Sequence, residues 1–334
     1  MNCLSLKGSH YNAGFQYGSM LKENGCLLKD GILSDLSEER TLYAVKAMEI
    51  YQKEYTELLE EIQGIADGQD LSMEPLTAFL LGMYTFTIDN HCTCIALETT
   101  ENHILFGRNS DFLVELEEQY GSFYYDLDNS YKFIGNSTAF VEMEDGVNQY
   151  GLAVGLTFIY SKEKIPGFNA GILVRYLLEK CKTVEECLKA LENITIGSAQ
   201  TLTLADSSGD MAVVECNAHE VIVIRQNNHK CVYTTNHFNS PVMRKYMEQP
   251  EDVLFSHLRY EVADKVLTAK HDYSFDFLKD LLSGKMGFMC QYDRSLGADT
   301  VWSVIYDLTD FKIYRCDRNP SREQYKEDTR LVNV

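Results

Sequence analysis

Apolar residues recur at helical spacing through residues 37–66, where Leu42, Val45, Ile50, Tyr51, Leu58, Leu59 and Ile62 stand among Glu and Lys. The pattern predicts a helix running out at Gly64 and Gly68, and a second over 73–85 with Pro75 in its first turn. From Cys92 the period shortens to that of strands: CIALETT, HILFGRN, YKFIG, TAFVEM and GLAVGLTFIY follow in turn. Helical patterns return at 171–181 and again after Thr183, where Glu186 three positions on completes a capping box. Strands resume with TLTLAD, DMAVVEC, EVIVIRQ and CVYTTN, the first two joined by the turn residues Ser208, Gly209 and Asp210. Helices are expected over 252–268 and 273–283, and the strands TVWSVIYDL and FKIYRC close the pattern. Strands joined by short turns imply antiparallel sheets, and the helix pairs between them imply helical outer layers. The expected fold class is α+β, with layers in the order α, β, β, α. There are no repeats, low-complexity segments or Pro-rich linkers.

Composition narrows the function classes. With 334 residues, 45% apolar and 11% aromatic, the chain can bury a substantial core. A formal charge of −20 repels phosphate backbones and anionic membranes, so neither nucleic acid nor membrane is an expected partner. The start MNCLSLKGSHYNAGF lacks the basic and apolar regions of a signal peptide. The ten cysteines form no CxxC motif and are read as reduced thiols of a cytoplasmic protein. Oligomeric state is not fixed by the sequence, and a homo-oligomer stays open.

The chemistry concentrates at Cys92. Cys92 and Cys94 share one side of a strand, and a hairpin brings Arg108 and Asp111 back toward them. A cation beside a thiol favours thiolate, and a carboxylate can orient an amine. His91, Cys92 and Cys94 are soft metal ligands, but a second ligand pair is missing, so no metal is expected. Cys94 itself reads as packing.

The stretch Cys92-Thr93-x-x-Ala96-Leu97-Glu98-Thr99, with Phe106-Gly107-Arg108-Asn109-x-Asp111, resembles the start of the choloylglycine hydrolases. These are bile-salt and penicillin V amidases of the N-terminal-nucleophile (Ntn) class, in which the cysteine is the first residue of the mature chain. Here 91 residues precede it. That segment, with KGSHYNAGFQYGSML and EEIQGIADGQDLS, is similar to the acyl-CoA:isopenicillin N acyltransferase branch, whose members cut themselves before the cysteine. GVNQYGLAVGLTF, VYTTNHF and TVWSVIYD extend the likeness along the chain.

The resemblance implies a four-layer αββα Ntn-hydrolase sandwich of two antiparallel sheets. Residues 1–91 would be a helical N-terminal segment, cut off by autoproteolysis as a propeptide or α subunit. Residues 92–334 would be the catalytic domain, the two forming one compact unit. Scission of the His91–Cys92 bond would free the Cys92 α-amine, whose ordinary pKa near 8 suits it to take the thiol proton. The substrate would be a linear, non-peptide amide, split through a Cys92 thioester without a cofactor. Arg108 matches the arginine beside the nucleophile, Asp111 the acid that holds the α-amine, and Asn236 the oxyanion-hole asparagine. Arg259 is matched to the second arginine, with Arg294 as rival. Thr157 stands where choloylglycine hydrolases carry a second oxyanion asparagine, and His91 stands where the acyltransferase branch commonly has glycine. His237 is a pocket-lining candidate, and Tyr120, Phe123, Tyr124 and Tyr125 read as core or surface rim, on a loop that the resemblance puts near the pocket mouth. Two other readings compete: an acyltransferase that passes the acyl group to an amine, and a non-catalytic, uncleaved binding relative. A thiol redox protein using Cys92 and Cys94 needs a strained pairing within one strand.

Overall fold

The computed structural model describes residues 2–34, 36–86, 91–161, 163–226, 228–248, 252, 254–269 and 272–331. The chain begins with strand β1 (Asn2–Gly8) and helices α1 (His10–Glu23), α2 (Glu38–Glu54), α3 (Thr56–Gly68) and α4 (Met73–Leu81). Strands β2 (His91–Glu98), β3 (Ile104–Leu113), β4 (Gly121–Leu127), β5 (Phe133–Ser137), β6 (Asp145–Asn148) and β7 (Ala153–Phe158) follow. Helices α5 (Ala170–Lys180) and α6 (Val184–Leu191) then lead into β8 (Gln200–Ala205), β9 (Met211–Cys216), β10 (Val221–Arg225) and β11 (Cys231–Thr234). The chain ends with α7 (Pro241–Arg244), α8 (Ser256–Ala269), α9 (Phe275–Leu282), β12 (Ala298–Asp307), β13 (Lys312–Cys316) and β14 (Lys326–Asp328).

Two sheets result. The larger runs β1-β4-β5-β6-β7-β8-β9-β10, the smaller β11-β2-β3-β12-β13-β14. Three apolar layers account for the stacking. Inward residues of both sheets, such as Ala96, Phe106, Ile134, Val147, Val213, Trp302 and Val304, form the layer between them. Residues one step along the same strands, Ile95, Leu97, Leu105 and Ile305, turn outward to meet Ala263 and Leu267 of α8 and Leu278, Leu281 and Leu282 of α9. The other face of the large sheet packs Phe133, Val154, Leu202 and Val214 against the N-terminal helices and α5. Period-two alternation therefore feeds two layers from a single strand. The α+β, four-layer αββα expectation describes this molecule.

Several details differ from the sequence pattern. The helix expected over 37–66 breaks at Tyr55, whose non-helical backbone (φ −156, ψ 65) caps α2 and starts α3. Strand β1 was not signalled, and it pairs in parallel with β4 in an otherwise antiparallel pair of sheets. TAFVEM forms no strand; Phe140 sits there at φ +49, and pairing resumes only at Asp145. Between α1 and α3, Gly14, Gly18, Gly64 and Gly68 let the two backbones touch. A Cβ on Gly64 would lie 2.2 Å from the Tyr11 carbonyl oxygen, so the glycines serve a close crossing, and Gly68 also ends α3 as the sequence pattern has it.

The N-terminal segment is anchored by charge as well as by apolar contact. Arg175 of α5 donates to Glu61 of α3 at 2.7 Å and to Glu179. Glu179 also accepts from Tyr55 at 2.7 Å and bonds His10 at 3.1 Å. All five side chains are buried. No helix among the described residues is long and apolar enough to cross a membrane.

Candidate active site

The ladder between β2 and β3 sets Cys92 opposite Ser110, Cys94 opposite Arg108 and His91 opposite Asp111. Cys92, Cys94 and Ala96 share the inward face of β2, so the thiol points into the space between the sheets. Gly155 of β7 makes room there. A Cβ at that position would stand 2.7 Å from the Phe106 ring, 3.2 Å from Cys94 Sγ and 3.2 Å from Arg108 Cδ.

Arg108 fills this space, wholly buried. Its Nη2 donates to Cys92 Sγ at 2.6 Å and to Glu144 at 3.1 Å, its Nη1 to Asp145 at 2.9 Å and its Nε to the Leu156 carbonyl at 3.2 Å. Burial alone would weaken the guanidinium charge. The Cys92, Asp145 and Glu144 groups outweigh it and hold Arg108 firmly protonated. The effect on the thiol is the reverse of the simple expectation. Burial pushes the Cys92 thiol well above the usual cysteine range, and Arg108 pulls it back only in part. Here the cost of burying a thiolate outweighs the pull of the cation beside it.

A second buried arginine closes the other side. Arg259 of α8 donates through Nη1 to the Cys92 carbonyl at 2.6 Å and to Thr93 Oγ1 at 2.7 Å. It also reaches Asn236 Oδ1 at 3.0 Å and the Leu254 carbonyl at 2.9 Å. Arg294 instead pairs with Glu117 and Asp299. Asn236 follows β11, where the chain leaves its pairing with β2 and turns past Cys92. Its Oδ1 accepts the Cys92 backbone N–H at 2.7 Å, and its Nδ2 donates to the Phe158 carbonyl at 3.0 Å. Asp111 accepts from Thr300 at 2.6 Å and Tyr292 at 3.0 Å, and lies 3.5 Å from Arg259. Burial raises its pKa, with Arg259 opposing. Cys92, Arg108, Asp111, Asn236 and Arg259 thus form one connected group.

The weaker candidates have other engagements. The Thr157 hydroxyl donates to the Thr235 carbonyl at 2.7 Å and meets Thr201 at 2.6 Å, so it braces the turn that carries Asn236. His237 bonds Ser256 Oγ at 2.9 Å, and burial, with His257 and Arg259 adding to it, lowers its pKa to about 4. The His91 ring lies beside Tyr160, its Nε2 at 3.4 Å from the hydroxyl. Tyr120 and Tyr124 belong to the layer between the sheets, Phe123 and Tyr125 to the layer under α5. Cys94 is packed, its thiol raised to about 12 by burial. None of the ten cysteines, all among the described residues, is in a disulfide.

Sequence reasoning missed Glu144 and Asp145. The signal was there: three acids, Glu142, Glu144 and Asp145, in the six residues VEMEDG between two strand-like stretches, where neutral side chains are the usual choice for burial. It missed Tyr84 as well. This residue of the N-terminal segment, held at φ +59, is buried within electrostatic reach of Glu144, Glu142 and Cys92. Among the described residues, metal-ligand spacing occurs at His103, Asp307 and Asp310, at the opposite end of the β3 ladder. His103 there bonds Asp307 at 2.8 Å, and Lys312 pairs with Asp310.

The sequence profile of the family described as acyl-coenzyme A:6-aminopenicillanic acid acyl-transferase matches residues 98–322. Penicillin V acylase of Pectobacterium atrosepticum is 24% identical over 164 residues, covering 43% of this chain and 42% of that protein. The match therefore spans less than half the length of that relative. Among solved structures, a mutant of the conjugated bile acid hydrolase from Clostridium perfringens superposes with a TM-score of 0.54 at 17% identity. That likeness, which is one of fold, covers 73% of this chain and 93% of the other. A second variant of the same hydrolase gives 0.53 at 18% identity, over 72% and 94%.

Proposed function

Since the chain belongs to the acyl-coenzyme A:6-aminopenicillanic acid acyl-transferase family, we propose that it is a cysteine Ntn hydrolase that splits a linear, non-peptide amide. Cys92 is the nucleophile, freed by self-cleavage of the His91–Cys92 bond. The observation that carries this reading is the double engagement of Cys92, its Sγ against Arg108 at 2.6 Å and its N–H on Asn236 at 2.7 Å. Nucleophile and future α-amine are both held before any cut is made.

Cleavage begins with an N-to-S acyl shift. Cys92 Sγ attacks the His91 carbonyl carbon, the C–N bond breaks, and the nitrogen leaves as the α-amine. Water then hydrolyses the ester-like link and releases residues 1–91 as a separate chain. In turnover the α-amine takes the thiol proton, Sγ attacks the substrate carbonyl, and the amine half departs with that proton. Asn236 stabilises the oxyanion, and Arg259 orients Asn236 and the Cys92 carbonyl. Asp111 acts through Arg259 and faces the new ammonium. Water resolves the thioester and regenerates the thiol. The fragments stay together, because the Arg175 network joins both sides of the cut. We place this chemistry in the cytoplasm.

The runner-up is transfer of the acyl group to an amine. Penicillin V and a conjugated bile acid, the substrates named for the relatives, are the first probes. Carboxylic acid release in buffer alone supports hydrolysis. Product that forms only when hydroxylamine is added supports transfer. No turnover of any amide in a panel of acyl groups, by a chain already cut, contradicts both.

A further inference from the structure

Arg108 faces Cys92 with one edge and two adjacent carboxylates with the other. Glu144 lies at the end of the segment before β6, and Asp145 is the first residue of that strand. Both are buried, Glu144 at 1% exposure and Asp145 wholly. Glu144 Oε2 takes Arg108 Nη2 at 3.1 Å and the Ser110 hydroxyl at 3.0 Å, and its Oε1 takes the Thr138 hydroxyl at 2.8 Å. Asp145 takes Arg108 Nη1, Trp302 Nε1, the Tyr306 hydroxyl and Asn136. The nitrogen that touches Glu144 is the same one that touches Cys92 Sγ. Arg175 also carries two buried carboxylates, so what sets Glu144 apart is the donor nitrogen that it shares with the thiol.

We infer that Glu144 is a positioning residue that sets the thiol's acidity: it aims Arg108 Nη2 at Cys92 and offsets the arginine's charge, so that the sulfur keeps its proton until a base takes it and then attacks as a strong nucleophile. This rests on the reading of Cys92 as the nucleophile. The physical reason is a trade-off. An uncompensated guanidinium at this distance lowers a thiol pKa by about one to three units. Nucleophilicity falls with that pKa along a Brønsted slope of about 0.4–0.5. Glu144 acts with burial and against Arg108, so the thiol stays protonated and its thiolate, once formed, is the stronger nucleophile. The groups facing Cys92 are Arg108 and Asp111 from β3, Cys94 from β2, Glu144, Arg259 from α8 and Tyr84 from the segment after α4. Around Glu144 they are Arg108, Tyr84 and Glu142. Of these, Glu144 is the carboxylate that shares a donor nitrogen with the thiol.

The test is the pH dependence of Cys92 alkylation by iodoacetamide in the full-length protein as purified, read by mass spectrometry of the labelled peptide. In this reaction the thiolate forms the S–C bond as iodide leaves. Glu144→Gln shifts the midpoint down by about one unit or more. It also lowers the plateau rate about threefold for each unit. Glu144→Asp keeps the charge and brings the midpoint back toward wild type. Ser110→Ala leaves the carboxylate with one donor fewer, so its charge is felt more strongly and the midpoint moves up. It is the measurement to use if Glu144→Gln does not fold. An unchanged midpoint in Glu144→Gln, or in Ser110→Ala where that is the variant available, overturns the inference and leaves Cys92 as nucleophile. Wild-type protein in which Cys92 takes no label at any pH overturns the nucleophile reading, and the inference with it.

Discussion

Asn236→Ala and Asn236→Asp each lower kcat/KM for amide hydrolysis by about 100- to 1000-fold, the cost of one lost oxyanion donor. The two variants separate the roles of one side chain. Asn236 Oδ1 accepts from the Cys92 N–H and from Arg259, and Nδ2, which donates to the Phe158 carbonyl, is the oxyanion donor of the proposed mechanism. Asparagine to aspartate keeps the acceptor and puts a negative charge where an oxyanion must form. If Nδ2 is the working atom, Asp is therefore as damaging as Ala. The measurement is steady-state kinetics on protein already cut, so that any slowing of self-cleavage does not enter. Asn236→Asp with activity within a few-fold of wild type would remove Asn236 from the oxyanion site.

The second large effect is on assembly. Arg175→Leu leaves Glu61 and Glu179 buried without their cation, which costs about 3–5 kcal/mol. Arg175 also lies 3.8 Å over the Tyr125 ring, a cation–π attraction that leucine cannot make. In the proposed cut protein this network joins fragments of 91 and 243 residues (334 − 91). The variant is therefore expected to unfold at lower denaturant and to lose its N-terminal fragment on gel filtration, while wild type elutes as one species. A double variant, Arg175→Leu with Glu61→Leu, recovers part of the loss by removing one stranded charge. Equal stability of wild type and Arg175→Leu would contradict the network's role.

The layered α+β architecture was legible because short strand-like runs such as CIALETT and HILFGRN follow one another with turns between them, and the α5–α6 pair carries its own capping box. The break at Tyr55 was not, since apolar spacing continues across it and only the backbone of one residue leaves the helical region. Strand β1 was hidden for a related reason: a seven-residue edge strand has no periodicity long enough to stand out, and its partner is 119 residues away. In the site, Cys92, Arg108 and Asp111 could be grouped because one hairpin joins them. Asn236 and Arg259 come from over 140 residues away and were reached only through a family resemblance. Burial made the largest difference between expectation and structure. Arg108 beside Cys92 suggested a thiolate, yet a sulfur with no water contact keeps its proton. Tyr84 of the N-terminal segment lies within electrostatic reach of the same thiol.

The central claim is that Cys92 cuts its own chain and becomes the N-terminal nucleophile. Intact-mass spectrometry of denatured wild-type protein beside Cys92→Ala tests it most directly. The account predicts two wild-type fragments, residues 1–91 and 92–334, and a single uncut chain of 334 residues in the variant. A wild-type protein that stays whole, or a Cys92→Ala chain cut at the same bond, would contradict it.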